Sequence, residues 1–259
     1  MPEGDSVAGH ARRLRPVLVG RRIESVNGTA PPVRVNSRRI LDATVNSIRT
    51  VGKHLIFDLS TGYSIRVHLG LSGRWVISAS GKSPHGSARL ALATSSHHAA
   101  CYGAPTIEVD RTPAVDASVA GLGPDLLGDV EFDVEEYLRR ARLRGTDRSV
   151  SRLLLDQEVI AGIGNVYKSE LLFLEGIHPD TPVKALSDDA LRSVATRARR
   201  LLAANVGAGP RVTTGLRGAG RELWVYGRRG SPCRRCGTAI ESSGGEDRVT
   251  YWCPACQPL

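Results

Sequence analysis

The chain has 259 residues, 41% of them hydrophobic, enough to bury a substantial core in two modest domains or in one domain with an appendage. Its 35 Lys and Arg against 26 Asp and Glu give a formal charge of +9, a balance that favours a polyanionic partner such as nucleic acid. No apolar run approaches the roughly eighteen residues of a membrane span, and the amino terminus lacks the apolar core of a secretory signal, so a cytoplasmic protein without a membrane partner is expected.

The chain opens Met1-Pro2-Glu3. Removal of the initiator Met would leave the ring nitrogen of Pro2 as a free secondary amine beside a carboxylate. A neutral amine attacks a sugar or carbonyl carbon to form an iminium, and an α-amino group titrates near about 7.7 to 8.0, leaving a neutral fraction. Asp5 or Ser6 is expected to cap a helix in which Val7, Ala11, Leu14 and Leu18 share one stripe, with Gly20 beyond its end. The positive end of that helix would disfavour protonation of the amine and attract an anion.

From Arg21 to Val109 the pattern reads as β-structure. Lys53–Leu59 and Tyr63–Leu69 flank Ser60-Thr61-Gly62 as a hairpin, and 44–51, 74–78, 88–94 and 106–109 are further strand candidates. Closely spaced antiparallel strands predict a sandwich. Cys101 lies in the apolar run Ala99–Tyr102 and reads as a buried structural thiol. The Gly/Ser-rich stretch 78–86 is expected as a loop, and 110–124 as an interdomain connection.

Beyond that point the apolar period becomes helical: 134–143, 149–156, 165–174 and 188–204 all fit helices, the last with Asp188 and Asp189 early and Arg199 and Arg200 late. Between two of these segments, Ile160-Ala161-Gly162-Ile163-Gly164-Asn165 forms a glycine turn, with Asn165 suited to cap the following helix. A helix start with free N–H groups binds phosphate, and an ordinary helix connection has the same appearance.

Near the end, Cys233-x-x-Cys236 is followed after sixteen residues by Cys253-x-x-Cys256, the spacing of a four-thiolate zinc site. Four thiolates leave no open position, so one structural zinc ion is expected, stapling a tail too small to fold on its own core. The residues between the two pairs suggest a β-hairpin with Arg248 near its tip. Four of the chain's basic residues are Lys (Lys53, Lys82, Lys168 and Lys184); the excess of Arg fits codon usage and carries phosphate contacts only at particular sites.

Pro2-Glu3-Gly4, the Gly-Ile-Gly-Asn turn and the terminal four-cysteine finger, in this order, resemble the Fpg/Nei family of DNA glycosylases over nearly the whole chain. Gly52-Lys53, His68-Leu69-Gly70-Leu71-Ser72-Gly73, Gly123-Pro124-Asp125, Val225-Tyr226-Gly227-Arg228 and Cys253-Pro254-Ala255-Cys256-Gln257 add to the match. The resemblance implies an α+β, multi-domain chain: an N-terminal β-sandwich with its helix (1–121), a helical domain with a helix–two-turn–helix element (122–226) and a zinc-finger β-hairpin (227–259). It further implies a bifunctional glycosylase and abasic-site lyase of base excision repair, working as a monomer on damaged DNA, duplex or single-stranded, and associated with the nucleoid when bound.

Carried over by position, Pro2 is the nucleophile at the sugar C1′ and Glu3 the acid that protonates the sugar. Lys53 contacts phosphate and assists β-elimination, and Arg248 grips phosphates and assists δ-elimination. Asn165 binds phosphate, and Leu71 is the apolar wedge filling the gap left by an extruded base. Tyr102-Gly103-Ala104-Pro105 lacks the Arg and Phe of formamidopyrimidine-type enzymes, and the stretch 213–221 is shorter than their lesion-covering loop. Both departures favour an endonuclease VIII-like enzyme acting on oxidised pyrimidines, with a formamidopyrimidine-type glycosylase and a non-catalytic zinc-finger DNA-binding protein as alternatives. Gly70, Ser72 and Ser6 depart from the endonuclease VIII pattern and leave lesion and strand preference open.

Overall fold

The computed structural model describes residues 2–79, 86–128, 131–207, 209–218, 220–244 and 249–259. The chain forms two compact units, Met1–Gly121 and Leu122–Leu259.

The first unit opens with α1 (Gly4–Leu18), whose stripe Val7, Ala11, Leu14 and Leu18 is buried as its spacing predicts. It continues through β1 (Ser25–Asn27), α2 (Pro31–Val35), α3 (Ser37–Ile40), β2 (Val45–Val51), β3 (His54–Leu59), β4 (Tyr63–His68), β5 (Arg74–Ala79), β6 (Leu90–Ala93), β7 (His97–Tyr102), β8 (Thr106–Arg111) and α4 (Thr112–Val119). Two antiparallel sheets, ordered β2-β3-β4-β8 and β1-β6-β7-β5, form the sandwich. Leu55, Phe57, Ile65 and Val67 of one sheet meet Trp75, Leu90, Leu92 and Cys101 of the other in one core, which α1 joins. The Phe57 and Trp75 rings lie 5.2 Å apart. Burial pushes the Cys101 thiol up to about 12, so it is an inert packing residue.

Several elements differ from expectation for local reasons. Helix α1 begins at Gly4, with Glu3 in the capping position in place of Asp5 or Ser6. Helices α2 and α3 interrupt the stretch expected to be β-structure, because Pro31 and Pro32 occupy first-turn positions where a missing N–H costs nothing. Strand β7 is central in its sheet although Ala99-Ala100-Cys101 carries no β-branched signal; burial between neighbours decides its conformation. The expected connection 110–124 contains the end of β8 and then α4, again with a proline in the first turn. Strand β5 extends to Ala79, and most of the expected loop after it, residues 80–85, lies outside the described residues.

The second unit contains α5 (Val134–Gly145), α6 (Val150–Leu153), α7 (Asn165–Glu175) and α8 (Asp188–Asn205), then β9 (Glu241–Ser243) paired antiparallel with β10 (Thr250–Trp252). Asp133 caps α5 by accepting from Glu136 N at 2.9 Å, and Ser187 caps α8 by accepting from Ala190 N at 3.1 Å. Helix α8 runs on to Asn205, so Arg199 and Arg200 fall before its last turn. Helix α6 is shorter than expected: the chain leaves it before Asp156, whose carboxylate accepts from Glu158 N at 3.1 Å in a local turn. Leu138, Leu153, Tyr167, Leu171, Leu191 and Val194 build the helical core. The finger has a much smaller cluster of Phe173, Val225, Cys233, Ile240 and Cys253.

Candidate active site and metal centre

Pro2 is half-buried, and Glu3, which follows it, is 0% exposed. The Glu3 backbone is extended, and its carbonyl accepts from Ser6 N at 3.0 Å and Val7 N at 3.1 Å, starting α1 directly after the dipeptide. A half-buried proline thus directly precedes a buried glutamate at the positive end of a 15-residue helix. Asp5, also buried, accepts from Ser6 N at 2.7 Å and from the Ser6 hydroxyl at 3.2 Å.

Lys53 follows Gly52, whose φ of 57° makes the tight turn from β2 into β3. Its charge falls on His54 and His68, which pair across β3 and β4 with ring centroids 5.0 Å apart. Burial first, then the charges of His68, Arg66 and Lys53, lower His54 to about 3; burial, Lys53 and Arg66 lower His68 as well. Both rings are therefore neutral at pH 7, and Lys53 is the cation of this corner alongside Arg66, which is tied to Glu108 at 2.6 Å.

Leu71 projects from the turn between β4 and β5 with 74% of its surface exposed. Gly73 holds that turn tight: a Cβ there would sit 2.2 Å from the Leu69 carbonyl oxygen. Exposing an apolar side chain on a compact turn costs free energy, and its entry into an apolar gap recovers that cost.

In the second unit, the glycine turn is organised by Gln157. Its Oε1 accepts from Gly162 N at 3.1 Å and its Nε2 donates to Ile163 O at 3.0 Å. Gly164 takes the capping position and Asn165 is the first helical residue, which corrects the expectation that Asn165 caps α7. Its side chain turns to the finger instead: Nδ2 donates to Val249 O at 2.8 Å, and Oδ1 accepts from Lys168 Nζ at 2.6 Å. Arg248, next to Val249 in the chain, lies outside the described residues.

The four finger cysteines converge. Their Sγ atoms all lie within 4.8 Å of one another, with Cys233 to Cys256 at 4.0 Å and Cys236 to Cys253 at 3.5 Å. Tetrahedral coordination with bonds of about 2.3 Å sets sulfurs about 3.8 Å apart, so the cage fits one zinc ion held by Cys233, Cys236, Cys253 and Cys256. Cys253 N donates to Gln257 Oε1 at 3.0 Å, and Gln257 Nε2 donates to Ile177 O at 2.8 Å, fixing the second cysteine pair to the end of the helical segment.

Sequence reasoning missed Glu170 and Lys168. The buried Glu170 carboxylate accepts from the backbone N–H groups of Trp224, Val225 and Tyr226 at 2.8, 2.9 and 2.8 Å and from the Thr213 hydroxyl. It therefore clasps both ends of the short segment between Thr213 and Trp224. Lys168 is buried on the same helix. One signal was available for it, since a lysine is unusual in a chain whose cations are mostly Arg.

The family model of the formamidopyrimidine-DNA glycosylase N-terminal domain matches residues 1–105, that of the formamidopyrimidine-DNA glycosylase H2TH domain matches 122–215, and that of the zinc finger found in FPG and IleRS matches 230–259. The DNA-(apurinic or apyrimidinic site) lyase Nei2 of Mycolicibacterium smegmatis is 43% identical over 99% of both chains. A probable endonuclease 8 2 of Streptomyces coelicolor is 40% identical over 99% of this chain and 94% of its own. A formamidopyrimidine-DNA glycosylase of Acidothermus cellulolyticus is 34% identical over 100% of this chain and 98% of its own. Among solved structures, Lactococcus lactis formamidopyrimidine-DNA glycosylase bound non-covalently to DNA containing an abasic site superposes with a TM-score of 0.85 at 25% identity, covering 100% of both chains. Among the described residues no helix is long and apolar enough to cross a membrane. The chain belongs to the Fpg/Nei family of DNA glycosylases and abasic-site lyases.

Proposed function

We propose that the protein is a bifunctional DNA glycosylase and abasic-site lyase of base excision repair, of the endonuclease VIII type, acting on oxidised pyrimidines. The observation that carries this reading is the half-buried Pro2 followed directly by the buried Glu3 at the start of α1. Once Met1 is removed, that nitrogen attacks C1′ of the extruded nucleotide. The new N–C1′ bond forms as the glycosidic bond breaks, and the damaged base leaves with that bond's electron pair and takes up a proton. Glu3 protonates the ring oxygen as the sugar opens, giving an iminium between Pro2 and C1′.

The iminium withdraws electrons from C2′ and acidifies its hydrogen. Loss of that proton places a double bond between C2′ and C3′ as the 3′ phosphate departs, which is β-elimination. A second proton loss, from C4′, expels the 5′ phosphate, which is δ-elimination. Water then hydrolyses the iminium and frees Pro2. Lys53 holds phosphate and assists the first elimination, Arg248 grips the phosphates around the lesion and assists the second, Asn165 binds backbone phosphate, and Leu71 fills the space vacated by the base.

In this reading residues 1–121 carry the chemistry, 122–226 the helical phosphate site and 227–259 the zinc-stapled finger, and the protein works as a monomer. The endonuclease 8 and Nei2 names of the relatives at 40% and 43% identity support the endonuclease VIII type over the formamidopyrimidine type. A panel of duplex and single-stranded oligonucleotides carrying thymine glycol, 5-hydroxycytosine or 8-oxoguanine tests it. Faster excision of the pyrimidine lesions is expected, and preferential excision of 8-oxoguanine would replace this substrate assignment with the formamidopyrimidine type.

A further inference from the structure

Lys168 stands one turn beyond Asn165 on α7 and is 1% exposed. Its ammonium donates to Asn165 Oδ1 at 2.6 Å and to Thr250 Oγ1, on the finger strand, at 2.7 Å. The neighbouring contacts follow the same line: Asn165 Nδ2 donates to Val249 O at 2.8 Å, and the Ser169 hydroxyl accepts from Tyr251 N at 3.3 Å. Residues 165, 168 and 169 share one helix face, so α7 grips three consecutive finger residues, Val249, Thr250 and Tyr251.

The ammonium does more than bridge two elements. A carboxamide presents an acceptor at one end and two donors at the other, and a half-turn about its last bond exchanges them. An ammonium can only donate, so at 2.6 Å it must face the oxygen, which fixes the Asn165 amide nitrogen on the opposite side. One hydrogen of that nitrogen bonds Val249 O. The other has no partner among the described residues and suits a phosphate oxygen.

We propose that Lys168 is a positioning residue for DNA binding. It orients the Asn165 carboxamide with its N–H end toward phosphate, and its bond to Thr250 holds the ammonium in place for that task. This inference rests on the assignment of Asn165 to phosphate in the proposed function.

Two physical signatures separate positioning from other roles. Met keeps an unbranched side chain of similar length while removing the bonds to Asn165 and Thr250. Lys168→Met should therefore keep its zinc and its cooperative thermal unfolding, so that weaker binding is not loss of fold. A lysine touching phosphate itself would also contribute to counterion release, whereas one acting through a neutral amide would not.

The experiment measures binding of zinc-loaded protein to duplex DNA with a tetrahydrofuran abasic analogue, over a range of salt, for wild type, Lys168→Met, Asn165→Ala and the double variant. Lys168→Met is expected to bind at least about fivefold more weakly, in keeping with loss of a hydrogen bond to a charged group. Its salt slope should be unchanged, and the double variant should be no weaker than Asn165→Ala. Wild-type affinity in Lys168→Met, losses that multiply in the double variant, or a salt slope shallower by about one would each overturn the proposal. Should Lys168→Met fail to fold, Thr250→Val takes its place in the same cycle, and an unchanged affinity there overturns the proposal equally. Failure of the wild type to bind abasic DNA would instead remove the functional reading itself, and this inference with it.

Discussion

Asn165 Nδ2 donates to the Val249 carbonyl across 2.8 Å, joining the first residue of α7 to the residue that follows Arg248 in the finger. The residue proposed to bind phosphate is therefore tied to the finger rather than spent on capping its own helix. Asn165→Ala should weaken binding to abasic duplex about tenfold, the scale of a hydrogen bond to a charged group. Because Asn is neutral, the slope of log affinity against log salt should stay constant, whereas Arg248→Ala should make it shallower by about 0.9. Titrations at several salt concentrations distinguish the two; a slope change in Asn165→Ala would remove it from the role of neutral donor.

Zinc removal should act on the finger alone. Its apolar cluster is small, and four sulfurs within 4.8 Å of one another repel once deprotonated without a cation between them. Chelation is expected to release one zinc per chain and to cost about tenfold or more in DNA affinity, the scale of a charged hydrogen bond lost with the Arg248 hairpin. Most helical circular dichroism should survive, because α5, α7 and α8 pack in a separate core. Undiminished affinity in the metal-free protein would deny the finger its part in binding.

Glu170 offers a stability test away from the chemistry. Its carboxylate receives three backbone N–H groups and a hydroxyl at a site with no exposed surface. Glu170→Gln keeps the shape but removes the charge and turns one acceptor into a donor facing N–H groups. A loss of about 2–3 kcal/mol is expected, the scale of hydrogen bonds to a charged group. Thermal unfolding measures it, and limited proteolysis should find the segment 213–224 released first.

Histidines 54 and 68 make the first unit sensitive to acid. Folded, His54 is lowered to about 3, principally by burial, and His68 is lowered too; unfolded, each ring takes a proton near its ordinary value of 6.5. The unfolded state thus binds more protons below pH 6.5, so stability present above that pH is lost as pH falls toward the folded-state values. Urea midpoints should decline from pH 7 to pH 5, and His54→Asn should flatten the decline. An equally steep decline in His54→Asn would assign it to other groups.

Much of this architecture was legible because it follows from periodicity and spacing. The α1 stripe, the β3–β4 hairpin and the four cysteines are each set by residues close in sequence, and the structure places them accordingly. Helices α2 and α4 were missed because proline reads as a breaker, although it is well tolerated in a helix's first turn. Strand β7 escaped because its conformation comes from burial between β6 and β5. Lys168 and Glu170 were hidden for another reason: each acts on residues more than fifty positions away, Thr250 for one and Val225 for the other. No local pattern could pair them.

Pro2 is the proposed nucleophile, and reductive trapping tests that role most directly. Processed protein is incubated with abasic-site DNA and borohydride, which reduces an iminium to a stable covalent bond. Wild type should form a protein–DNA adduct whose modified peptide is the amino-terminal one. Pro2→Gly, or a form retaining Met1, should trap on the order of 100-fold less, the lower range for loss of a catalytic group, while Pro2→Gly still binds the DNA. Absence of any adduct with wild type, or an adduct undiminished in both altered forms, would contradict the account.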